Sequence, residues 1–150
     1  MNGMLRECTA RGRSAEQRGN ASRSFAQSLG ADIAGAIGEA AVAKALDFYW
    51  FCGRAGDPDV GGVYEVRTTE QAEPHLALYE WDDPRSTFIA VKIFGKESGC
   101  ECEILGWLDG REGMEEKYRR KGPIHFYIPP SSLRPFSALE AGNRMARAVT

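Results

Sequence analysis

The residue order predicts a mixed α/β (α+β) layer fold, with a central, mostly antiparallel sheet flanked by helices. Three observations carry this. Apolar residues recur at helical spacing over residues 32–48. Short β-runs bounded by glycine, proline and aspartate follow between 63 and 128. A capping-box pattern then opens a last helix near Ser137. The 150 residues suffice for one domain with one sizeable core. A content of 43% hydrophobic and 27% charged residues is the composition expected of a soluble globular protein.

Residues 1–24 are polar, Arg-rich and aperiodic, and are expected to form a flexible arm ahead of a single domain over 25–150. A long helix should run from about Phe25 or Asp32 to Asp47. Ala34, Ile37, Ala41, Ala45 and Phe48 repeat at helical spacing there, flanked by Val42, Leu46 and Tyr49. Gly35 and Gly38 weaken an isolated helix but permit close approach to a neighbouring backbone. Residues 48–52 are apolar and aromatic, fitting either a buried strand or the helix end. Gly61-Gly62 predicts a two-residue hairpin turn into a strand over 63–69. A short strand over 76–79 precedes the turn Trp81-Asp82-Asp83-Pro84. Residues 87–94 are the strongest β-run, closed by 95–99, and 101–108 should pair back on it. Residues 111–121 are expected to be helical, with Gly122-Pro123 as the stop. A last strand covers 125–128, and Pro129-Pro130 takes the chain out of the sheet. Ser137-Ala138-Leu139-Glu140 has capping-box spacing for the start of the C-terminal helix.

No apolar run is long enough to span a membrane, and the first residues lack the apolar core of a signal peptide. The expected compartment is therefore the cytoplasm. Cys8, Cys52, Cys100 and Cys102 form no C-x-x-C pair, so reduced thiols are expected rather than structural zinc. A formal net charge of -2 excludes a uniformly basic nucleic-acid coat but leaves room for local patches. Two stand out: the series Arg6, Arg11, Arg13, Arg18 and Arg23, and the run Lys117-Tyr118-Arg119-Arg120-Lys121. Either is a solvated face or a phosphate contact.

The chemistry concentrates in 56–69. Asp59 precedes the glycine turn, and Glu65 and Arg67 follow at alternate positions of a strand, so they share one face. Two carboxylates and a cation suit phosphodiester hydrolysis, where a divalent ion acidifies water and polarises the phosphoryl oxygen. Mg²⁺ accepts a few carboxylates and keeps waters, so Asp59 and Glu65 are fitting ligands, with the Val66 carbonyl as a possible third oxygen. A strict two-residue turn pairs Val60 with Val63, which sets Asp59 and Glu65 on opposite faces; a looser turn brings them together. Glu39 lies about 20° from Leu46 and about 60° from Val42 around the first helix, at the border of its apolar stripe. It is either a solvated rim residue or an acid reaching over the sheet.

Gly38-Glu39 on the first helix, then Pro58-Asp59, then Glu65-Val66-Arg67 resemble the PD-(D/E)XK nuclease superfamily, and more narrowly its small phage-encoded proteins. The segments Ile104-Leu105-Gly106-Trp107 and Ile128-Pro129-Pro130-Ser131-Ser132-Leu133-Arg134-Pro135 extend the resemblance over about residues 31–135. It implies a restriction-endonuclease-like sheet with a metal site at its edge. Asp59 and Glu65 match the metal-binding acids, and Glu39 matches an auxiliary acid holding metal or water. Two departures accompany it. Arg67 stands where the family has lysine, and arginine stays protonated, so it clamps phosphate but cannot act as a general base. The spacing from Asp59 to Glu65 is also short for the superfamily.

The remaining candidates have plainer readings. His75 and His125 have no neighbouring group at a catalytic spacing and are expected to be structural. Trp50, Trp81 and Trp107 suit base stacking but are more often core. Lys92 faces away from Val91 and Ile93, which leaves it as a stand-in for the missing lysine. The expectation is a metal-dependent nuclease acting on DNA with Mg²⁺ or Mn²⁺. Its catalytic set is Glu39, Asp59, Glu65 and Arg67, and the two basic patches bind nucleic acid. The alternative is a lapsed nuclease fold that binds nucleic acid or serves phage assembly; a third reading is an interaction protein with solvated acids. Oligomeric state is open, a homodimer included.

Overall fold

The computed structural model describes residues 25–50, 57–95, 100–120 and 125–148. The arm carrying Arg11, Arg13, Arg18 and Arg23 lies outside the described residues, as do Cys8, Cys52, Lys121 and the stop at Gly122-Pro123. The architecture is α+β. A helix α1 (Phe25–Ala45) precedes strands β1 (Tyr64–Thr69), β2 (Leu76–Tyr79), β3 (Thr87–Phe94) and β4 (Glu101–Asp109). A one-turn helix α2 (Gly110–Gly113), strand β5 (His125–Ile128) and helix α3 (Phe136–Ala148) complete it.

The strands divide into two sheets. One has the order β1-β3-β4, with β1 parallel and β4 antiparallel to the central β3. The other is the antiparallel pair β2-β5. A parallel β1–β3 pair needs a crossover, and residues 70–86 with β2 supply it. β3 is covered on both faces, which explains why Phe88, Ile89, Ala90 and Val91 are apolar and buried in succession. Ile89 and Val91 face α1, where Val42, Ala43 and Leu46 pack with Val60, Tyr64 and Val66. Phe88 and Ala90 face the second sheet, among Leu76, Leu78, Leu108, Phe126 and Ile128. The layers therefore run α1, then β1-β3-β4, then β2-β5.

α1 ends two residues earlier than expected because the chain turns left-handed at Asp47 (φ 58°). The Asp47 N–H donates to the Lys44 carbonyl at 3.2 Å and the Phe48 N–H to Ala43 at 2.8 Å, a Schellman closure. Gly38 meets the expected close approach, since a Cβ there would lie 2.1 Å from Thr68 Cγ2; one at Gly35 would touch nothing within 4 Å. The helix expected over 111–121 is not continuous. α2 stops at Gly113, the backbone is extended at Glu115, and only a 3-10 turn (Glu116–Tyr118) follows. Gly113 is buried against Leu78, Leu108 and Ile128, so the chain here is held by packing rather than by a helical stripe. The last helix begins at Phe136, ahead of the expected cap at Ser137, and its Phe136 and Leu139 join the α1 cluster. The stretch after β5 returns to β4, where Arg134 and Trp107 exchange backbone hydrogen bonds of 2.8 and 3.1 Å. Gly106 (φ 143°) makes room, because a Cβ there would come within 2.5 Å of the Arg134 carbonyl oxygen. No helix among the described residues is long and apolar enough to cross a membrane.

Candidate active site

The turn before β1 decides the site. Val60 pairs with Tyr64, not with Val63, through reciprocal hydrogen bonds of 3.0 Å. Three residues, 61–63, therefore form the turn, instead of the expected two. Gly61 (φ 62°) and Gly62 (φ 70°) both take the left-handed conformation this requires. One added residue reverses the facing of Asp59, which now lies opposite Glu65 on the same side. The looser turn thus brings the two acids together.

Asp59 Oδ2 accepts the Val66 N–H at 2.8 Å, and the Glu65 and Asp59 side chains are hydrogen-bonded to each other. The Tyr64 N–H and C=O both point to the outer edge of β1, towards Val60. The two-residue period of a strand puts the Val66 carbonyl on that edge as well, beside Asp59. Burial first, then the adjacent Asp59 carboxylate, pushes Glu65 from 4.5 up to about 7; Asp82 acts in the same direction and Arg67 opposes it. Glu65 therefore holds its proton up to near neutrality, and in that form its carboxyl donates to Asp59. Two carboxylates held this close repel when both are ionised, and a divalent ion is the natural partner that relieves the repulsion. The donor set fits a hard ion such as Mg²⁺, which takes one or two carboxylates and keeps water on its remaining positions.

Arg67 shares this face of β1 but is not bridged across the two acids. Its Nη2 donates to Asp82 Oδ1 at 2.7 Å, and its guanidinium lies 5.3 Å from the centre of the Phe88 ring. Asp82 is fixed in turn by the Tyr79 N–H, which donates to its Oδ2 at 2.8 Å. The Arg67 Nε–H is buried and has no hydrogen-bond partner among the described residues. A buried donor without an acceptor costs about 1–3 kcal/mol, so this is a group with capacity to take an anionic oxygen.

Glu39 is buried on α1, and its Oε2 accepts the Trp50 indole N–H at 3.3 Å; α1 itself covers the Val66 and Thr68 face of β1, opposite to Glu65. Among the described residues no group of three or more His, Cys, Asp or Glu side chains gathers to hold a metal. Lys92 lies on the Glu65 face but pairs with Thr69 in register, about 13 Å along the strand from Glu65 at the usual rise. Its Nζ donates to the Ala72 carbonyl at 3.2 Å, so it does not replace the lysine.

Two cations of the basic run are paired with carboxylates. Lys117 pairs with Glu115 at 2.9 Å, and Arg119 with Glu116 at 2.9 Å and Glu80 at 3.1 Å. Arg120 lies 5.3 Å from the centre of the Tyr127 ring. The His75 and His125 rings lie tilted against Tyr127, with centroids 3.8 and 4.6 Å away. Trp50 and Trp107 pack on the α1 cluster, whereas Trp81 is 76% exposed. Cys100 and Cys102 are free, exposed thiols.

Asp82 is the residue that sequence reasoning missed. It was legible only as part of a turn, since 15 positions and a crossover separate it from Arg67. In comparison with known proteins, no family model matches the chain, and neither a curated protein nor a solved structure matches it significantly.

Proposed function

We propose that the protein is a metal-dependent nuclease that hydrolyses DNA phosphodiester bonds at the Asp59–Glu65 pair. The observation that carries this is the hydrogen-bonded contact of two acids on one edge, with Glu65 pushed up to about 7. Glu65 and Asp59 would hold Mg²⁺ or Mn²⁺, with the Val66 carbonyl beside them. The ion, when bound, acidifies a water and polarises the phosphoryl oxygen. Arg67 contributes fixed positive charge beside the pair and an Nε–H that has no acceptor among the described residues, while Asp82 sets its orientation. Arg67 takes no proton, so no side chain at this position acts as the base. The expected resemblance to the PD-(D/E)XK nucleases is consistent with this arrangement and rests on the sequence segments alone.

A second reading, a nuclease-like fold that binds nucleic acid without turnover, is favoured by the absence of a metal-holding group of three or more acids among the described residues and by the lysine being Arg67. One experiment separates the two. Circular and linear DNA are incubated with the purified chain in Mg²⁺ and in Mn²⁺, with Glu65→Ala as control. The nuclease reading expects divalent-dependent cleavage that Glu65→Ala abolishes while the fold survives. DNA left intact in every form and with either ion refutes it.

A further inference from the structure

The outward face of the β2–β5 pair carries a continuous row of rings. β2 and β5 turn Leu76, Leu78, Phe126 and Ile128 inwards, so the strand period directs Tyr79, His125 and Tyr127 outwards. The rings follow one another in contact. His75 lies 3.8 Å from Tyr127, Tyr127 4.6 Å from His125, His125 6.2 Å from Tyr79, and Tyr79 4.8 Å from Trp81. Cross-strand ring pairs stabilise a small sheet, and that accounts for Tyr79, His125 and Tyr127. It does not account for Trp81, which lies beyond the end of β2, stacks on Tyr79 with only 5° between the planes, and is 76% exposed. An indole held flat with its other face in water is a prepared stacking surface.

We propose that this row is a platform for the unpaired bases of single-stranded DNA. Every base has a π-face, so a row of rings binds a strand without reading its sequence. Arg120 supplies the complementary charge: its guanidinium lies over Tyr127, and no carboxylate among the described residues pairs with it. Burial, aided by the nearby Arg120 charge and opposed by a hydrogen bond to the Glu73 backbone, pushes the His75 imidazole down from its ordinary value. The row also leads to the acid pair. Trp81 adjoins Asp82, and Asp82 is bonded both to the Tyr79 backbone and to Arg67. A strand laid along the rings would therefore bring its backbone towards Arg67. The choice of DNA as occupant rests on the nuclease reading; the stacking platform does not.

The test uses the full chain in EDTA, where no metal-dependent cleavage occurs. Fluorescence anisotropy measures its affinity for a labelled oligothymidylate, for the same strand in duplex, and for oligouridylate. The single strand should bind at least about tenfold more tightly than the duplex. Trp81→Ala should lose about tenfold or more of that affinity, and Trp81→Phe should recover most of it. Trp81 is exposed, so both variants should keep the wild-type melting temperature. Arg120→Ala should flatten the salt dependence of binding. Equal binding by Trp81→Ala and wild type, or duplex bound as tightly as single strand, overturns the platform; oligouridylate bound more tightly overturns DNA as its occupant. Single-strand binding without any metal-dependent cleavage would refute the nuclease reading and leave the platform standing. Cleavage without single-strand preference would do the reverse.

Discussion

Replacing Glu65 by glutamine should stabilise the protein, and only above a certain pH. In the folded chain Glu65 releases its proton near pH 7, against about 4.5 for an ordinary glutamate. Between those values the folded state binds more protons than the unfolded state, so stability falls as pH rises through the window. At about 1.4 kcal/mol per pH unit the full effect is about 3 kcal/mol. The site is half-buried, and solvent screening reduces this to about 1–2 kcal/mol. Glutamine keeps the shape and can donate to Asp59, but it carries no charge. Urea denaturation of wild type and Glu65→Gln at pH 5 and pH 8 isolates this group, because every other residue is the same in both proteins. The two should match within error at the lower pH, and the variant should lead by about 1–2 kcal/mol at the higher one. A difference that does not change with pH would refute the account of the pair.

Three further expectations concern the neighbours. Asp82→Asn removes the charge partner of a partly buried Arg67, and should cost about 1–3 kcal/mol in urea denaturation and lower the cleavage rate; an unchanged midpoint would show that the pair is not structural. Arg67→Lys installs an amine that can titrate, so metal-dependent plasmid nicking should speed up with rising pH, and an unchanged or slower rate would remove the general-base argument. Gly38→Ala places a Cβ 2.1 Å from Thr68 Cγ2, against a side chain with little rotamer freedom. It should lose about 1–3 kcal/mol in thermal melts, and adding Thr68→Ser, which deletes that methyl, should restore much of it.

Much of this architecture was legible in the residue order, for physical reasons. β3 and β5 have the bounds their β-runs predict, because 87–94 and 125–128 combine β-branched and aromatic residues with clear stops. α1 was legible from its apolar spacing, but its end was not, since nothing in a single aspartate announces a left-handed turn at Asp47. The split into two sheets was invisible, because pairing partners are long-range: β2 finds β5 across nearly fifty residues. The same holds within the site. Asp59, Glu65 and Arg67 are close in sequence and share a hairpin, so local periodicity nearly placed them, failing only on whether the Gly61-Gly62 turn has two residues or three. Glu39 and Asp82 reach the sheet from other layers. Spacing along α1 put Glu39 correctly at a buried border but could not say which face of β1 that border covers. In the charge run at 117–120, the local partners Glu115 and Glu116 were within reach of sequence spacing, whereas Glu80, the second partner of Arg119, lies far away in the chain.

The central claim is that Asp59 and Glu65 together form a divalent-metal site. Electron paramagnetic resonance of free Mn²⁺, titrated with the full chain, measures it without any need for turnover. The account predicts one site at pH 8, weaker at pH 6 because Glu65 must give up its proton, and lost in both Asp59→Asn and Glu65→Gln. Mn²⁺ that stays free at pH 8, or binds the two variants as it binds wild type, would contradict it.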